Sequence, residues 1–117
     1  MDMLKKVITK IAKGEIPPGY NLRNITSYDP VPVCETNISL EPKQVIDGHR
    51  IQVIISRATN ITNKKMLFNE ASCYQNKVLA VAVWPNALLE PGQSTELYVI
   101  FKKEYGRQHS KRPSLVQ

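Results

Sequence analysis

Two stretches of this chain constrain its fold most. In Arg50 to Ala58, Ile51, Val53 and Ile55 alternate with Arg50, Gln52, Ile54 and Ser56, and Lys77 to Trp84 is apolar on both faces. A period of two is the signature of a strand, because successive side chains project to opposite sides of it. The first stretch reads as a strand with one buried face. The second, apolar throughout, reads as a strand in the middle of the domain, ended by Pro85.

Weaker strand signals surround these two. Val31 and Val33 alternate with prolines, which suits an edge strand or an extended lead-in. Ile38 and Leu40 form a second short alternation. Asp47-Gly48 between apolar flanks is a two-residue hairpin signal, since a type I′ turn requires positive φ at both central positions. Val45-Ile46 and Ile51 to Ile55 are the expected arms. Asn60 to Lys65 is a polar turn, and Met66-Leu67-Phe68 opens another short strand. Leu88, Leu89 and the turn Glu90-Pro91-Gly92-Gln93 then lead into Ser94 to Lys103, where Leu97, Val99 and Phe101 alternate with Glu96, Tyr98 and Ile100. Short strands at this spacing predict a mainly β fold, a small antiparallel β-sandwich.

One helix precedes the strands. Leu4, Val7, Ile8 and Ile11 fall at i, i+3, i+4 and i+7, an apolar stripe opposite Lys5, Lys6 and Lys10. Asp2 is the expected N-cap, Gly14 supplies the left-handed residue after the last turn, and Pro17-Pro18-Gly19 prevents continuation. A helix this short is marginal alone in water, so its stripe must be buried on something.

A length of 117 residues, 42% of them hydrophobic, provides for one domain with a modest core. The expected organisation is an amphipathic helix and Pro/Gly turn over 1–20, a linker over 21–30, the sandwich over 31–103 and a basic flexible tail over 104–117. No run approaches the roughly 18 apolar residues that span a bilayer, and the helix is too charged for a signal peptide core. The chain as given is therefore expected to be soluble, without a visible address. The formal charge of +6 permits anionic partners.

The sequence offers little catalytic chemistry. The chain holds no Gly-rich phosphate loop, HExxH, GxSxG or paired CxxC. His49 adjoins the expected hairpin turn and His109 lies in the tail, so neither is placed beside a Cys or Ser as a base. No catalytic, cofactor-binding or metal-ligating residue is assigned, and the expectation is that the chain is not an enzyme. Cys34 and Cys73 lack metal or redox spacing. They pair if the compartment is oxidising, or remain two small buried residues. Three Asn-x-Ser/Thr triplets, beginning at Asn24, Asn37 and Asn60, are short enough to recur by chance.

Three segments resemble one family. Leu4 to Tyr20 is similar to the junction helix of TraK proteins, which ends in a Gly, an apolar residue, a Pro and a Gly-aromatic pair. Asn60-Ile61-Thr62-Asn63-Lys64-Lys65 with Met66 to Glu70 resembles the family's stretch of Asn-Lys-Thr, then apolar, then acidic residues. Lys77 to Pro85 and Leu88 to Ile100 resemble its two closing strands, the last ending in Tyr-Val-Ile. The order and spacing agree over most of residues 4–103, outside 21–47.

The resemblance implies a structural component of the outer-membrane core of a conjugative type IV secretion system. It would sit in the periplasm with a TraV-like lipoprotein, a TraB-like partner and other copies in a ring. The family's full-length members carry a signal peptide and an N-terminal β domain, so this chain is expected to be an excised C-terminal domain. Sheet edges suit capture of an extended partner, with Val31, Val33, Ile38 and Leu40 as the expected contacts. Alternatively, Pro30, Pro32 and Lys43 merely blunt those edges. A different class, a small basic β domain that binds single-stranded nucleic acid, is the second reading, from the tyrosines and the basic residues.

Overall fold

The computed structural model describes residues 2–34 and 37–103. The expected basic tail lies outside the described residues. The order of elements is α1 (Asp2–Ala12), β1 (Asn21–Asn24), β2 (Ile38–Asp47), β3 (Ile51–Asn60), β4 (Met66–Leu67), a 3-10 turn (Glu70–Cys73), β5 (Val78–Trp84), β6 (Leu88–Leu89) and β7 (Ser94–Lys102). Five strands form one antiparallel sheet in the order β1-β2-β3-β7-β5, and β4 pairs with β6 in a second, two-stranded sheet. After β3 the chain alternates between the two sheets. The architecture is thus mainly antiparallel β with one short N-terminal helix, as the alternation predicts.

The large sheet is buried on both faces. On one, Leu4, Val7 and Ile11 of α1 pack over Ile46, Ile51, Val53, Ile55, Tyr98 and Ile100. Each buried aliphatic side chain contributes roughly 2 kcal/mol, which fixes a helix that would be marginal alone. The helix therefore forms a layer of the same body. It ends in two reverse bonds, Gly14 N–H to the Ile11 carbonyl and Glu15 N–H to the Lys10 carbonyl, with Gly14 at φ 82°. This is the Schellman arrangement that needs a glycine. On the other face Val45, Ile54, Ala58, Leu97, Val99 and Phe101 meet Phe68, Cys73 and Leu89 from the second layer.

Several expectations need correction. β5 is an edge strand, not a central one. Its residues are apolar on both sides because the sheet is covered on both sides, a property independent of having two neighbours. The centre belongs to β3, which also departs from the one-face reading: Ile54, Ser56 and Ala58 are as buried as Ile51, Val53 and Ile55. Val31–Cys34 form no strand, since proline removes ladder donors. Residues 21–30, expected as a linker, hold β1 and a turn tied by Arg23 to Asp29. Ile38, Leu40, Val45 and Ile46 belong to one strand with a register shift between Pro42 and Gln44. Pro42 is tolerated there because β1 pairs only with Gln44 to Asp47.

The hairpin between β2 and β3 exists, but its turn differs from the type I′ expectation. Gly48 N–H donates to the Ile51 carbonyl at 3.0 Å, and Gly48 is not among the residues with positive φ. Glycine is required for another reason: a Cβ there would collide with the Tyr20 ring.

Candidate partner-docking surfaces

The two edges of the large sheet are finished by different chemistry. At β1, the Arg23 guanidinium grips Asp29 through two bonds of 2.7 and 2.8 Å and reaches Asp47 at 3.2 Å. Asp29 also accepts the backbone N–H and hydroxyl of Thr26, at 2.8 and 2.9 Å. Lys103, just beyond β7, completes the cluster with its ammonium 2.6 Å from Asp47 and 2.8 Å from the Gly48 carbonyl. Charge-assisted bonds of this length are the stronger kind. The Arg23 bonds hold the Asp29 carboxyl down at about 2, against the opposing effect of burial. They also raise the Arg23 pKa, with the bonds to Asp29 as the largest cause.

At β5 the outer edge is barely finished. Val83 N–H donates to the Glu70 carboxylate at 3.0 Å, so that amide faces away from β7. Because the strand period is two, the Val81 amide faces the same way. Neither Lys nor Pro interrupts Val78–Trp84, although these are the usual means of blunting an exposed edge. Trp84 at its end is half exposed.

A disulfide joins Cys34 to Cys73. It attaches the 3-10 turn that carries Glu70 to the loop before β2. The same loop is held by Val33 N–H donating to the Gln75 side-chain oxygen at 2.9 Å. Val31 and Val33 are 61% and 60% exposed on it, with Tyr28 almost fully exposed nearby in sequence.

The four expected contact residues therefore divide. Val31 and Val33 face solvent. Ile38, at 4% exposed, is core, and Leu40 packs against that core, so the structure does not assemble the four into one exposed edge. Alternation within β2 turned these two side chains inward.

Other groups have structural roles. Asn60 is fully buried and fully bonded: its amide donates to the Lys64 and Leu89 carbonyls, and its oxygen accepts the Thr62 N–H and hydroxyl. Its backbone bonds Gln93 and Gly92. Its side chain thus ties the β3–β4 connection to β6, and its backbone adds the 90–93 turn, a role not anticipated from the sequence. The available signal was an amide closing an apolar strand, followed two residues later by a hydroxyl. Tyr98 is buried and donates to Glu96; burial first, then the neighbouring carboxylate, pushes its phenol pKa up. A buried phenol provides no stacking platform for bases.

His49 is exposed in the β2–β3 turn. A concavity of about 640 Å³ on the large sheet is lined by Lys43, Arg57 and Glu96 among others, and by neither His49 nor a cysteine. Among the described residues no group of three or more His, Cys, Asp or Glu is placed to hold a metal ion, and no helix is long and apolar enough to cross a membrane.

Fold and surface together define a class, a helix-backed antiparallel β domain whose distinguishing features are two unlike sheet edges and a loop tied by a disulfide. The particular family follows from comparison: residues 1–101 match the model of the TraK C-terminal domain, and the chain belongs to that family. It is also similar to a type 3 secretion system secretin of Pseudomonas syringae pv. syringae, 28% identical over 124 residues. That alignment takes in 97% of this chain but 17% of the relative's length. Both findings point to a secretion-system component of structural kind.

Proposed function

We propose that this chain is a scaffold domain of the outer-membrane core of a bacterial conjugative type IV secretion system. It acts in the periplasm against the outer membrane, beside other copies in a ring, and binds a TraV-like lipoprotein and a TraB-like partner. It performs no catalysis. Membership of the TraK C-terminal domain family supports this reading. The observation that carries it is the edge of β5, seven residues apolar on both faces with outward amides and little to blunt them. An extended lipoprotein segment adds there as a further strand, its main chain supplying affinity and alternate side chains supplying specificity. Val31 and Val33, on the loop held by the disulfide, provide a second, apolar contact.

Calorimetric titration of the chain with extended peptides from a TraV-like lipoprotein tests this. Binding should be insensitive to salt and lost in Val81→Pro, which removes an outward amide, with circular dichroism verifying the fold. Binding by Val81→Pro equal to that of the parent chain would refute the edge as the site. Affinity for a labelled single-stranded oligonucleotide that falls steeply with salt would instead favour nucleic-acid binding.

A further inference from the structure

The outer face of α1 is a second surface, unlike the sheet edge in chemistry. At 100° per residue, Lys5, Thr9, Lys13, Lys6 and Lys10 fall within an arc of about 140°. The buried side chains Leu4, Val7 and Ile11 lie diametrically opposite. The lysines therefore lie exposed on the solvent side of the helix. Lysine stems and Thr9 alone enclose a shallow depression of about 370 Å³, so they form one contiguous surface.

Two acidic residues offset it in part, Asp2 at a position within the same arc and Glu15 just after the helix. Lys10 lies 3.6 Å from Glu15, and among the described residues Lys5, Lys6 and Lys13 have no acidic partner within salt-bridge distance. Residues 2–15 carry four lysines against Asp2 and Glu15, a net +2 of the chain's +6.

We propose that this helix face binds the surface of an anionic phospholipid bilayer. The face is open and presents its charges along roughly 12 Å of chain at helical rise, which suits a flat, extended anionic plane. Each lysine held near such a surface strengthens binding, and the attraction decays within a Debye length of about 8 Å at physiological salt. Nucleic acid fits less well. Single strands are held by aromatic stacking in a positively charged groove, and the residues of this face are lysines and a threonine, with no aromatic side chain among them. The apolar stripe stays committed to the sheet, so the helix lies on headgroups without inserting. The inference stands on α1 alone and is independent of what the β5 edge captures.

Vesicle flotation of the full chain tests it. The chain should float with vesicles of equal phosphatidylglycerol and phosphatidylcholine, stay behind with phosphatidylcholine alone, and be released as salt rises. Each Lys→Gln change should weaken binding roughly fivefold. The quadruple variant Lys5→Gln, Lys6→Gln, Lys10→Gln, Lys13→Gln should not float. Because these side chains are exposed and glutamine matches lysine in helix propensity, the quadruple variant should keep the parent circular dichroism spectrum. Lys64→Gln with Lys65→Gln, in the β3–β4 connection, should float as the parent does. The proposal is overturned if the parent chain does not float, if the quadruple variant floats equally well, or if a single-stranded oligonucleotide of equal charge strips the chain from the vesicles.

Discussion

The β1 and β5 edges of one sheet show two ways to end a ladder of backbone hydrogen bonds. β1 is four residues long, polar, and locked by Arg23, Asp29, Asp47 and Lys103. β5 is seven residues long, apolar, and carries the Glu70 carboxylate on one amide. The first edge is tied by a cluster of paired opposite charges; the second is kept in place by packing on its two faces and by Glu70, with the Val81 amide also facing outward. An edge of that composition in water invites pairing with other chains. The contrast is the ground for proposing that a partner strand adds at β5.

The largest test removes what anchors the β5 side. Changing Cys34 and Cys73 to Ser should cost about 4 kcal/mol on the chain-entropy estimate for a bridge across 39 residues, measured by urea denaturation. It should also raise hydrogen exchange in the 3-10 turn and β5 more than at β1. Equal acceleration at both edges would remove the distinction.

Arg23→Ala attacks the other edge. It leaves the shielded Asp29 carboxylate without its guanidinium and should cost about 2 kcal/mol. Its pH signature fixes the cause. The Asp29 pKa is lowered from 3.8 to about 2 in the folded chain, so its stabilisation is complete above the unfolded value and disappears as pH falls from near 4 toward 2. The parent chain should lose stability through that window, and Arg23→Ala should lose less. Identical acid profiles would exclude the ion cluster as the lock on β1.

Glu70→Ala should cost about 1 kcal/mol by leaving the Val83 amide without its acceptor. Unlike Arg23→Ala, it should increase self-association, visible by sedimentation. The smallest effect should come from Leu22→Thr in β1, below about 0.5 kcal/mol, with peptide binding unchanged. A large loss of binding there would move the docking edge to β1.

Local pattern carried much of the fold. The α1 stripe, its glycine stop, the strands over 51–60 and 94–102, and the turn at Glu90 to Gln93 are each readable from neighbours within a few positions, because sterics and period alone dictate them. Local pattern is silent where the answer depends on a distant segment. Val78–Trp84 looks central from its composition, yet it pairs with β7 alone and ends the sheet. Gly48 looked like a residue chosen for φ and is instead the space Tyr20 occupies. Ile38 and Leu40 looked like edge contacts until β2 turned them into the core. Cys34 and Cys73 are adjacent only because the loop before β2 and the 3-10 turn meet over the same face of the sheet.

The sequence by itself determined the set of elements, their two periodicities, and the lysine face opposite the apolar stripe of α1. These follow from backbone geometry over a few residues, which needs no knowledge of the remainder of the chain. Tertiary structure alone decided the order of strands, and with it which apolar strand lies open at the edge and which cysteines and charges meet. Pairing and burial on both faces are properties of the packed sheet, set by closing long loops around a shared core.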